Sequence, residues 1–143
     1  MLGFGKGKID LILEKTSFAH EEMINGTVNM TLKKPIQAKG VIVTLFAERK
    51  RSDGDGGTTT QRVFEFSQPL DIEKIYEATP KSYTFKIQVP AENKVAMEGK
   101  IGTALKAFSA IGNMLSPTKW FVEVKLDIPK GFDVRKKLQI SVV

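Results

Sequence analysis

The stretch Ile24-Asn25-Gly26-Thr27-Val28-Asn29-Met30-Thr31-Leu32-Lys33 decides the fold class. Its even positions are apolar or glycine and its odd positions are Asn, Thr or Lys. That two-residue period sets one side of an extended chain against a core and the other in water. The period recurs in both directions along the sequence. Ile9, Leu11 and Leu13 alternate with Asp10, Ile12 and Glu14, and Tyr83, Phe85, Ile87 and Val89 with Thr84, Lys86 and Gln88. Trp120, Val122, Val124 and Leu126 alternate with Phe121, Glu123, Lys125 and Asp127. In 41–47, Val41, Val43, Leu45 and Ala47 share one side while Ile42 and Phe46 take the other, which predicts a central strand covered on both faces. Runs at 62–66 and 138–142 bring the predicted strands to seven.

Turn signals separate these runs: Lys34-Pro35, Ser52-Asp53-Gly54-Asp55-Gly56-Gly57, Thr79-Pro80, Val89-Pro90 and Ile128-Pro129-Lys130-Gly131. Short alternating strands with turns between them predict an all-β fold, an immunoglobulin-like antiparallel β-sandwich of about seven strands. One domain is expected over 1–143, with a flexible N-terminal arm at 1–7 and a mobile loop at 50–60. One segment breaks the period. Between 98 and 115, Ile101, Ala104, Leu105, Phe108, Ile111 and Leu115 recur at helical spacing opposite Thr103, Lys106, Ser109 and Asn113, predicting one amphipathic helix that Ser116-Pro117 ends.

Composition narrows the chemistry. The 143 residues include no cysteine, which removes disulfides, thiolate metal sites and thiol catalysis, and a single histidine, His20, which leaves no imidazole cluster within one chain. The net charge of +6 favours anionic partners, but bases alternate with acids and no nucleic-acid reading motif accompanies them, so nucleic acid is not an expected partner. No apolar run is long enough for a spanning helix or a secretory signal, and a cytoplasmic or membrane-peripheral location is expected.

Individual motifs read more plainly as structure than as chemistry. Gly3-Phe4-Gly5-Lys6-Gly7-Lys8 has the glycine density of a phosphate loop, but it precedes a strand rather than opening a helix. Asp53-Gly54-Asp55-Gly56-Gly57 has the look of a calcium loop, yet counting from Asp53 the twelfth position is Phe64 where a bidentate carboxylate is needed. His20 stands beside Glu21 and Glu22 with no nucleophile nearby and reads as a solvated turn residue. Lys130, Arg135, Lys136 and Lys137 form a basic patch, or equally an edge strand guarded by charge. No metal, cofactor or small-molecule substrate is expected.

The order of segments resembles the arrestin N-terminal-like sandwich shared by arrestins, arrestin-domain adaptors and sporulation-control proteins. The resemblance rests on Phe18-Ala19-His20-Glu21-Glu22-Met23-Ile24-Asn25-Gly26-Thr27-Val28 and Ala38-Lys39-Gly40-Val41-Ile42-Val43-Thr44-Leu45. Tyr83-Thr84-Phe85-Lys86-Ile87-Gln88-Val89-Pro90, Glu98-Gly99-Lys100-Ile101-Gly102 and Trp120-Phe121-Val122-Glu123-Val124-Lys125-Leu126-Asp127-Ile128-Pro129 extend it in the same order. The sequence departs from the pattern at Glu21, where the family often has glycine, and in the longer stretch at 103–118. No second lobe and no PPxY motif occurs, so neither an interdomain switch nor ligase recruitment is implied.

What the resemblance implies, joined to the lack of an assembled catalytic group, is a non-catalytic interaction or scaffold module. It would bind a protein partner or a second copy of itself through strand edges and loops. The candidate partner-binding residues are Arg49, Lys50 and Arg51 at the start of the glycine loop, and Ile101, Leu105 and Phe108 on the helix face. The alternative is a peripheral membrane adaptor in which that helix, flanked by lysines, meets an anionic membrane surface.

Overall fold

The computed structural model describes residues 7–52, 57–91, 118–129 and 133–143, and among them every regular element is a strand. The alternating run around Gly26 forms β3 (Met23–Leu32), the middle strand of a three-stranded antiparallel sheet between β1 (Gly7–Leu13) and β8 (Lys81–Gln88). A five-stranded sheet runs in the order β2 (Ser17–Phe18), β10 (Val134–Val142), β9 (Lys119–Asp127), β5 (Gly40–Ser52), β6 (Thr58–Asp71). Its pairings are antiparallel except the short parallel one between β2 and β10. The strands β4 (Ile36–Ala38) and β7 (Lys74–Tyr76) pair on their own.

All seven predicted strands are present. The additional strands β2, β4 and β7 are two or three residues long, too short for a period to show in sequence. The β5–β6 hairpin also reaches further than expected: Lys50 opposes Thr60, Arg51 opposes Thr59 and Ser52 opposes Thr58. Much of the predicted 50–60 loop is therefore paired strand, as suits the β-branched run Thr58-Thr59-Thr60. The predicted helix at 98–115 lies outside the described residues, as does the predicted arm apart from Gly7, which opens β1.

One hydrophobic core receives side chains from both large sheets. Ile9 and Leu11 of β1, Ile24, Val28 and Met30 of β3, and Phe85 and Ile87 of β8 meet Val41, Val43, Leu45, Trp120, Val122, Val124 and Leu126. The expectation for β5 holds in an instructive way. Phe46, on its outward face, is as buried as the core, but by its own neighbours: it stacks on Phe121 at 5.2 Å, and the Arg62 guanidinium lies 3.8 Å from its ring centre. Gly26 makes room for its cross-strand neighbours Leu13 and Phe85 within the three-stranded sheet. A Cβ there would sit 2.3 Å from the Phe85 ring and 2.9 Å from Leu13, so only a hydrogen fits.

The two sides of the sandwich differ. On one, β1 lies along β10 and β9; on the other, β6 and β8 scarcely meet.

Candidate functional site

Arg49, expected at the mouth of a loop, sits within β5 and is tied down. Its Nη2 and Nε donate to the Thr118 hydroxyl at 2.9 and 3.2 Å, and partial burial pulls its pKa below that of an ordinary arginine. It acts as a strut between the hairpin and the approach to β9. Lys50 follows on the same strand and is exposed. Arg51 opposes Thr59 in the ladder, and its side chain lies outside the described residues. Ile101, Leu105 and Phe108 lie outside them too. Among the described residues no helix is long and apolar enough to cross a membrane.

His20 corrects a sequence reading. Its ring is half-buried, 6.3 Å from Trp120 in an edge-on arrangement, and Nδ1 lies 2.9 Å from the Pro90 carbonyl. A carbonyl oxygen only accepts, so Nδ1 carries the hydrogen. The ring thus pins the turn after β2 to the end of β8 instead of standing in solvent. Backbone bonds from Glu21 to Val89 and from Val89 to Glu22 complete this clamp. Glu21 itself adopts φ 71°, the left-handed conformation that favours glycine, at the position where the family pattern often has glycine. Lys15 pairs with Glu22, whose other oxygen accepts the Ala19 amide at 2.8 Å; together they hold the Glu22 carboxyl below the usual glutamate range.

A second polar cluster fastens β6, β7 and β8 at one corner. Asp71 accepts from Tyr83 Oη at 2.8 Å, from Lys74 Nζ at 2.9 Å and from the Ile72 amide at 2.8 Å, while Tyr76 Oη donates to the Ile72 carbonyl at 2.6 Å. Burial alone would raise the Asp71 carboxyl, but these donors outweigh it and hold it low. Burial and the nearby Asp71 charge push Tyr76 up to about 12, and burial with the Asp71 bond raises Tyr83 further. Both clusters are struts: every strong donor in them already has an acceptor. Among the described residues no group of three or more acidic or histidine side chains is disposed to hold a metal ion.

The open side between β6 and β8 is what sequence reading did not find. Phe66 faces Leu45 across the ladder, on the core side of β6, yet it is 48% exposed because no described strand lies over it. A shallow cleft runs across the three strands of the smaller sheet, from Ile12 and Glu14 past Asn25 and Thr27 to Thr84 and Lys86, and reaches Gln68 of β6. The sequence showed both strands but not which of them would end a sheet.

Two packed sheets, antiparallel but for the short β2–β10 pairing, and joined by the clamp at Glu21, define a β-sandwich whose β6–β8 side is open among the described residues. Among solved structures the chain is similar to Spo0M, the sporulation control protein of Bacillus subtilis, with a TM-score of 0.67 at 18% identity. The match covers 97% of this chain and 50% of that one, so the chain spans about half the length of that protein. At that identity the likeness is one of fold. No family model and no curated protein matches the chain.

Proposed function

We propose that the chain is a non-catalytic interaction module that binds another protein through the edges of its sheets. The observation that carries this reading is the side of the sandwich left open among the described residues, where β6 and β8 each end a sheet and Phe66 of β6 stands half exposed. A strand edge offers a row of unpaired amide and carbonyl groups, which gives affinity, and the adjoining side chains give selectivity. The polar clusters support the same reading, because Arg49, His20, Glu22 and Asp71 are each engaged in holding the fold.

Site-specific photocrosslinking in the source cell tests it. A photoreactive residue replacing Gln68 or Thr84, beside the open side, should capture a discrete protein; the same residue replacing Thr44, on the outward face of β5, should not. Equal capture from all three positions, or a measured turnover lost on changing one carboxylate, would overturn the reading.

A further inference from the structure

Among the described residues, four of the strands longer than three residues, β1, β6, β8 and β10, leave an edge wholly or largely unpaired, and they are not equivalent. β10 is paired by β2 only at Ser141 and Val142, and it packs close to β1, which partly covers both edges. β6 is guarded by its own irregularity. It carries Pro69, which has no amide to donate, and its register against β5 shifts between Val41 and Ile42 and again between Ala47 and Glu48. Bulges and proline twist an edge and spoil it as a template. β8 has neither defence. Its pairing with β3 runs without a shift from Met23 opposite Gln88 to Met30 opposite Lys81, and no proline or bulge interrupts it.

We infer that β8 is the docking edge for an extended segment of a partner protein, apolar on the residues facing the sandwich and acidic on the alternate residues facing water. This rests on the interaction reading above and names its edge and its ligand chemistry. A strand added beyond β8 continues the three-stranded sheet over β6, and its inward side chains cover Phe66, the core-side aromatic that the present strands leave open. Charge sets the outward side. Lys86 stands on the outward face of β8 with Ser82, Thr84 and Gln88, whereas Lys81 has the core-facing parity opposite Met30; β8 contains no acid, and Lys86 makes no ion pair among the described residues. The carboxylate lining the cleft, Glu14, accepts from the Asn25 amide at 2.9 Å. A second copy of β8 would oppose lysine-bearing strands with no compensating acid, which disfavours self-pairing there.

The test uses the full chain and two capped eight-residue peptides, one alternating valine with glutamate and one alternating valine with lysine, with binding read by anisotropy and location by amide hydrogen exchange. The glutamate peptide should bind and slow exchange in β8. Lys86→Glu should weaken it about tenfold and invert the preference between the peptides, and Phe66→Ser should weaken both by a similar factor. Both changes fall on exposed positions and spare the core. Protection confined to β1 or β6 would overturn the β8 assignment while leaving edge binding intact. Protection of β8 that grows with protein concentration in the absence of peptide would make a second copy the occupant and overturn the acidic partner. Absence of binding by either peptide would overturn the inference, whereas the interaction reading stands or falls separately on the photocrosslinks.

Discussion

Glu21 holds its left-handed backbone because Val89 accepts its amide and Gln88 Nε2 donates to its carbonyl, so the turn is fixed from outside. Glu21→Gly should raise stability by about 0.5–1 kcal/mol, the relief of strain exceeding the added freedom of the unfolded chain, as measured by urea denaturation. Gly26 is the opposite case: Gly26→Ala drives a methyl into the Phe85 ring and should cost about 1–3 kcal/mol, partly recovered in a double variant with Phe85→Leu. Titration follows from the two struts. The carboxyls of Glu22 and Asp71 are lower in the fold than their ordinary values of 4.5 and 3.8. Their contribution is complete above those values and disappears as acid protonates the folded form. Tyr76 is raised from 10.0 to about 12, so its contribution is complete below 10.0 and is lost as the pH climbs toward 12. Thermal melts should therefore show a plateau bounded by an acid and an alkaline fall, with Asp71→Asn flattening the first and Tyr76→Phe the second.

At the scale of the strand, Pro69 and the two register shifts make β6 a poor template despite its 14 residues. Pro69→Thr should let β6 edges pair with one another, visible as concentration-dependent dimers in sedimentation that the parent chain does not form. The alternation of 24–32, 83–89 and 120–126 was legible because a half-buried strand writes its period into side-chain chemistry. β4 and β7 were not, because three residues hold no period and their pairing is a tertiary event. The site was legible only in pieces. Arg49 read as a free cation because its acceptor, Thr118, is 69 residues away in sequence. Phe66 read as an ordinary strand residue because nothing local says whether another strand will lie above it. The signal that did exist was comparative: 81–88 has no proline and no acid, whereas the strand ending at Asp71 has both.

For the whole molecule, the two layers share one core whose buried residues, among those described, are all apolar or aromatic, so its cohesion is apolar and distributed. Leu45→Ala, at the middle of β5, should cost about 2–5 kcal/mol in urea denaturation. The cover over Phe46 makes a further point about breadth. With Arg62 and Phe121 over Phe46, the five-stranded sheet carries packed side chains on its outward face as well as on the core. The contact of β1 with β10 and β9 then works as the spine of a book whose fore-edge is β6 and β8. The clasp of Asp71 with Tyr83 and Lys74 closes one corner of that fore-edge, so the leaves are hinged along one side and buttoned at a single point on the other.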